Sequence, residues 1–139
     1  MVDSVKIGFV CVQNAGRSQM SAAFAERERE ERGVEDEVEI LTGGTYPADE
    51  VHPEVVEAMQ EVGIDIATRE PREVSTPELN ESDVVATMGC STLELDADVE
   101  VRDWALDDPH GQDMETVRAI RDEIEGRVSD LFDQYISEE

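Results

Sequence analysis

The stretch Val5-Lys6-Ile7-Gly8-Phe9-Val10-Cys11-Val12-Gln13-Asn14-Ala15-Gly16-Arg17-Ser18 decides the fold. Its first six residues form a short apolar run with β-branched members, the composition of a buried strand, and the run ends where Asn14 and Gly16 mark a turn. From Ser18 the period changes. Met20, Ala23, Phe24 and Arg27 recur at helical spacing, charges occupy the outer face as far as Glu31, and Gly33 supplies a stop. Strand, loop and helix therefore make the opening unit.

The alternation continues outward from this unit. Val38-Glu39-Ile40-Leu41-Thr42 reads as a second strand closed by Gly43-Gly44, and His52-Pro53 opens a second helix with Val55, Val56, Met59 and Val62 on one face and Gly63 as its stop. Ile64-Asp65-Ile66 reads as a brief extended piece, Thr68 to Ser75 as a loop, and Thr76 to Asn80 as one helical turn. Asp83 to Met88 is a third strand and Val99-Glu100-Val101 a short fourth. Asp113 starts a last amphipathic helix carrying Val117, Ile120, Ile124, Val128, Leu131 and Phe132. Strands alternating with helices imply right-handed crossovers, hence an α/β fold whose parallel sheet is covered by helices on both faces. Ligands of such sheets bind beyond the carboxyl ends of the strands, at the switch point in strand order. The segments after strands one, three and four meet at that edge.

The 139 residues suit one domain, 1–139, with a core that needs no disulfide or metal staple. Two cysteines and two histidines, without paired cysteine spacing, give no disulfide framework and no metal site. No run reaches the ~20 apolar residues of a membrane helix, and Met1 to Lys6 lacks the features of a signal peptide. A cytoplasmic protein with no membrane or nucleic-acid partner is expected. Acidic side chains number 36 against 11 basic, a formal net charge of -25, and Lys6 is the only lysine. An acidic patch for a basic partner is one explanation. The carboxylates are spread along the whole chain, however, which points to a general surface adaptation to a high-salt cytoplasm, where a Debye length of about 3 Å at 1 M screens self-repulsion. Disorder does not fit, because 39% of the residues are hydrophobic and they are periodic.

The loop from Cys11 to Ser18 meets the demands of a tetrahedral oxyanion. The backbone N–H groups of Val12, Gln13, Asn14, Ala15 and Gly16 can turn inward, and the N-terminus of the following helix adds partial positive charge. Arg17 offers a rigid fork for two oxygens and stays protonated. These donors favour the thiolate of Cys11, which can attack as nucleophile, and Ser18 can donate a hydrogen bond to that sulfur. Asn14 tolerates a left-handed backbone, and Gly16 allows close approach. A buried strand-end thiol beside a surface arginine is the plain alternative. The strand before, the helix after, and the supporting Asn, Gly and Ser favour chemistry.

Phe9 to Ala22 resembles the phosphate-binding loop of the low-molecular-weight tyrosine phosphatases and, more closely, of the related thiol-dependent arsenate reductases. The likeness continues through His52-Pro53, Met59 to Ile66 and Trp104-Ala105-Leu106-Asp107-Asp108-Pro109, so it covers nearly the whole chain. The resemblance implies a single-domain, four-stranded parallel sheet with helices on both faces, Cys11 as nucleophile, Arg17 as oxyanion clamp and Asp108 as general acid. A carboxyl group after the fourth strand also lies at the correct sheet edge to protonate a leaving oxygen. Asp107 is its understudy, and a turn with solvated carboxylates is the plain alternative.

Two chemistries share this apparatus. A phosphatase hydrolyses a thiophosphate on Cys11 with water, whereas a reductase passes a thiol–arsenate adduct to a second thiol and releases arsenite. Cys90 follows the third strand at the same edge as Cys11 and is the candidate resolving thiol, with a small buried hydrophobe as the competing role. Ser91 to Val101 contains no cysteine, so a relay of three is impossible. What remains is either a Cys11–Cys90 disulfide left by the reaction, which an external thioredoxin- or glutaredoxin-like protein reduces, or attack by a small cytosolic thiol as the reductant. No bound cofactor is expected. Tyr46 could supply one wall of an aromatic slot, but Trp104 reads as core, and Pro109 is followed by His110 and Gly111 rather than by rings. Scarce aromatics favour arsenate over a phosphate ester. The alternatives are protein tyrosine phosphatase activity and a non-catalytic domain that binds a phosphorylated ligand. His52 reads as a cap or surface group, and the methionines as core.

Overall fold

Val5–Cys11 form a strand, β1, whose last five residues are buried. Burial of successive residues, rather than alternate ones, is the mark of a central strand of a parallel sheet. The computed structural model describes residues 5–11, 14–34, 36–44, 47–88, 100–104 and 111–135. Along these run α1 (Arg17–Glu31), β2 (Val38–Gly44), α2 (Pro53–Gln60), α3 (Thr76–Asn80), β3 (Val84–Thr87), β4 (Glu100–Asp103) and α4 (Met114–Tyr135). The four strands pair in the order β2-β1-β3-β4, all parallel. The chain leaves β1 for one side, returns, and continues on the other, so the switch point lies beside the C-terminal end of β1, where Cys11 sits. The expected architecture is the observed one.

The two sheet faces bury different sets. Ile7, Phe9, Cys11, Val84 and Ala86 face the large core built with Met20, Phe24, Val55, Met59, Ile124, Val128 and Phe132 of α1, α2 and α4. Val10, Leu41 and Val85 face a smaller cluster closed by Leu79 of α3 and by Val74. The first half of α1 is buried all round, from Ser18 to Ala25, because it packs against β1, β2 and α4; its charged second half reaches solvent. Ser75 caps α3 through a reciprocal pair with Glu78.

Two expectations change in detail. Ile64-Asp65-Ile66 forms no strand. With Gly63 at φ +81, the Gly63 and Ile64 N–H groups return to Gln60 and Met59, so this backbone closes α2 instead of pairing with a strand. The fourth strand is Glu100–Asp103, extending two residues beyond Val101; Val99 lies outside the described residues. Among the described residues, no helix is long and apolar enough to cross a membrane.

Most described arginines are tied to carboxylates. The tie between α2 and α4 is the most concentrated: Glu61, just after α2, accepts from Arg118 (2.8 Å) and Arg121 (2.9 Å), and Arg121 also donates to the Ala58 carbonyl (3.0 Å). The Arg118 hydrogen bonds, with help from Arg121 and against some desolvation, pull the Glu61 carboxyl from 4.5 down to about 2. A carboxyl depressed in the folded state stabilises above its unfolded value, and the contribution is lost as pH falls toward its folded value. The gap in urea midpoint between the native chain and Glu61→Gln is expected to be widest above about pH 4.5 and to close toward pH 2. A gap independent of pH would show that the clamp does not titrate.

Candidate functional site

Cys11 closes β1 and is a buried free thiol, 3% exposed. Its sulfur accepts the Asn14 N–H at 3.2 Å and lies 2.9 Å from the Ser18 hydroxyl oxygen. The side chain of Asn14 decides the direction of that second contact. Asn14 Nδ2 donates to Ser18 Oγ at 2.7 Å, which fills an acceptor site of the hydroxyl and leaves its proton for Cys11 Sγ. A thiolate at this position thus meets two donors, one from the backbone and one from Ser18.

Asn14 is the hub of the loop. Its backbone is left-handed, φ 52, as the sequence leads one to expect, and it is completely buried. All four of its amide positions are used: Nδ2 donates to Ser18 Oγ and to Thr42 Oγ1 (3.0 Å), and Oδ1 accepts from Gln19 Nε2 (3.0 Å) and from the Arg72 N–H (3.0 Å). That is the full capacity of an amide side chain. Thr42 Oγ1 lies within donor distance of the Phe9 carbonyl (3.0 Å) and the Ser18 carbonyl (3.3 Å), so β2 is bound into the same network.

The loop's other end is held from two sides. The Ala15 carbonyl accepts the His52 N–H at 2.9 Å, which docks the start of α2 against the loop; His52 is the N-cap of α2 and makes no side-chain cap bond. Gly16 is the N-cap of α1. Arg17 Nη1 donates to the Met88 carbonyl at 2.6 Å, and Ser21 Oγ donates to the Arg17 carbonyl at 2.8 Å. Arg17 therefore spans the switch point from α1 to the end of β3.

Cys11, Asn14, Ala15, Gly16, Arg17 and Ser18 are brought together at one sheet edge. Val12, Gln13, Tyr46, Cys90, Asp107, Asp108 and His110 lie outside the described residues. Trp104 is 6% exposed, with its ring centroid 6.0 Å from that of Phe9, so it belongs to the core as its sequence position suggests. Thr42, Gln19, the Met88 carbonyl and the Arg72 N–H are the members that sequence reasoning missed. One of them left a signal: Thr42 is a polar residue inside an apolar strand.

A loop that brings together a thiol, two donors to it, a guanidinium and the first N–H groups of a helix can bind an anionic tetrahedron and attack its centre. The family model described as low molecular weight phosphotyrosine protein phosphatase matches residues 6–139. A Halobacterium salinarum protein named "Putative arsenate reductase" is 73% identical over 133 residues, across 95% of this chain and 94% of its own. A solved structure of an arsenate reductase in the phosphate-binding state superposes with a TM-score of 0.79 at 30% identity, over 94% of this chain and 98% of that one. The thioredoxin-dependent arsenate reductase of Corynebacterium glutamicum superposes with a TM-score of 0.77 at 32% identity, over 95% of this chain, which spans 62% of that longer chain.

Proposed function

Because the chain belongs to the low molecular weight phosphotyrosine protein phosphatase family, we propose that it reduces arsenate to arsenite, with Cys11 as the nucleophile. The Cys11 thiolate attacks arsenic, an As–S bond forms, and an As–O bond breaks. The departing oxygen takes a proton from Asp108 and leaves as water. Arg17 and the loop N–H groups hold the remaining oxygens, and Ser18 steadies the sulfur as it attacks and later as it leaves. A second thiolate then attacks Cys11 Sγ. The new S–S bond forms as the As–S bond breaks, its electron pair stays on arsenic, and arsenite departs. Cys90 is one candidate for that thiol, and an external small thiol is the other. A thioredoxin- or glutaredoxin-like protein would reduce a Cys11–Cys90 disulfide, and thioredoxin dependence is what the Corynebacterium glutamicum relative is named for.

The observation that carries arsenate over an aryl phosphate is the position of Trp104, spent in the core against Phe9 and therefore unable to wall a slot for a phenol ring. The name of the Halobacterium salinarum relative agrees. Phosphotyrosine hydrolysis is the second reading, favoured by the description of the matching family and by Tyr46, which follows β2 in the sequence and could supply one wall of a slot. The working compartment is read as a high-salt cytoplasm, from the net charge of -25 and that same relative.

One paired assay in molar salt tests these points: arsenite release with a small thiol, against hydrolysis of an aryl phosphate. Arsenite release is expected to dominate and to fall on dilution into millimolar salt, since screening then no longer offsets the self-repulsion. Fast aryl phosphate turnover without arsenite would overturn the choice of substrate, and full activity at millimolar ionic strength would overturn the high-salt reading. Cys90→Ser is expected to stop arsenite release with a redoxin as sole reductant; unchanged release removes Cys90 from the mechanism.

A further inference from the structure

The segment Arg72-Glu73-Val74 lies across the C-terminal end of β2 like a strap. Gly44 N–H donates to the Arg72 carbonyl at 2.9 Å, Val74 N–H donates to the Gly44 carbonyl at 3.2 Å, and Gly44 and Glu73 form an isolated parallel bridge. This places the Arg72 N–H 3.0 Å from Asn14 Oδ1, although the two residues are 58 apart in sequence. A Cβ at Gly43 would stand 2.5 Å from Val74 Cβ and 3.1 Å from its backbone nitrogen, distances at which something must shift. Val74 has no outward retreat, because it is 8% exposed and packs with Val10, Leu41, Leu79 and Val85. The flanks are fixed as well. Arg69 forks onto Glu26 of α1 at 3.1 and 2.5 Å, and Ser75 and Glu78 cap α3.

We propose that this strap is the spacer that orients Asn14, and that Gly43 and Arg72 are positioning residues for the Cys11 nucleophile. Gly43 lets the strap seat flat on β2. The seated strap delivers the Arg72 N–H to Asn14 Oδ1, which fixes the amide so that Nδ2 points at Ser18 Oγ. Ser18 then directs its proton to Cys11 Sγ. A side chain at Gly43 lifts the strap and withdraws one donor from a fully used amide, and the error passes to the sulfur through two hydrogen bonds.

The inference rests on the reading of Cys11 as nucleophile, and the experiment separates the two. In a Cys90→Ser chain, Cys11 is the only thiol, and its alkylation by iodoacetamide, with protection by inorganic phosphate, reports sulfur reactivity and loop geometry together. Gly43→Ala is expected to slow alkylation in that background and, with Cys90 intact, to lower kcat for arsenite release about tenfold, with KM less affected, as a small misplacement of a reacting group does. Adding Val74→Ala clears the clash and is expected to restore both to within about threefold, a coupling that independent sites do not show. A merely structural role would lower the melting temperature and leave alkylation and phosphate protection unchanged.

Arg72→Pro removes the N–H, whereas Arg72→Ala keeps it and removes only the side chain, so this pair decides the matter if Gly43→Ala does not fold. Arg72→Pro is expected to alkylate at least about fivefold more slowly than Arg72→Ala, the loss of one hydrogen bond to a buried amide. Equal rates in that pair, or no rescue by Val74→Ala in a folded Gly43→Ala chain, overturn the proposal. Arsenite release by a Cys11→Ser chain would instead overturn the nucleophile, while the alkylation rates would still score the strap.

Discussion

Cys11→Ser binds inorganic phosphate and releases no arsenite. The hydroxyl fits the space and keeps the Asn14 N–H and Ser18 Oγ as neighbours, so the oxyanion loop closes around a ligand as before. An alcohol at neutral pH is a far weaker nucleophile than a thiolate, and among the described residues no general base is hydrogen-bonded to this position, since Ser18 Oγ and the Asn14 N–H are both donors to it. A loss of about 10⁴-fold or more in turnover is expected, with phosphate affinity kept because Arg17 and the loop N–H groups are unchanged. Isothermal titration with phosphate, beside the arsenite assay, separates the two effects. Arsenite release within about tenfold of the native chain would exclude Cys11 as the nucleophile. Phosphate binding with no turnover in the native chain itself would favour a domain that only recognises phosphorylated ligands.

The second large effect is expected at Asn14, which contacts no substrate through its side chain. Asn14→Ala leaves Ser18 Oγ, Thr42 Oγ1, Gln19 Nε2 and the Arg72 N–H each without one partner, the first and third in buried contacts and the other two in part-buried ones. It also puts a Cβ without local hydrogen bonds at φ 52. Buried groups left unpaired cost about 1–3 kcal/mol each, partly recovered by relaxation, so a loss of about 3–4 kcal/mol in urea unfolding is expected. Asn14→Gly accepts the backbone angle and still lacks the amide; it is expected to recover about 1 kcal/mol of that loss and little of the turnover. Recovery of turnover by glycine would assign the residue's importance to its backbone alone. With the hub gone, the Ser18 hydroxyl rotates among several acceptors and no longer points its proton at Cys11, so kcat is expected to fall about tenfold to a hundredfold.

Much of the fold is legible from residue periodicity. Val5 to Val10 is too short and too continuously apolar for a half-exposed strand, and the change to helical spacing after Ser18 locates α1 to within a residue. Gly63 and Gly33 announce helix ends because only a residue without a Cβ takes positive φ there at no cost. Ile64 to Ile66 misled because β-branched residues favour extension only when a neighbouring strand offers partners, and here the backbone turns back onto α2. The charge was readable as number but not as arrangement. Arg118 and Arg121 converge on Glu61 only because α2 and α4 pack side by side.

For the loop around Cys11, residue types and their spacing already carry the chemistry on offer. They supply a thiol at a strand end, an arginine six residues on, a serine next to it, and an asparagine able to hold a left-handed turn. Those are properties of residue type and local spacing, and local spacing is what a strand-loop-helix unit reads. The tertiary structure alone decided how the loop is held. Thr42, Arg72 and Met88 reach it from 28, 58 and 71 residues away, through an amide, a strap and a carbonyl that no periodicity marks. Hydrogen-bond partners at that separation are chosen by sheet order and by the room left at Gly43, and those exist only once the chain has folded.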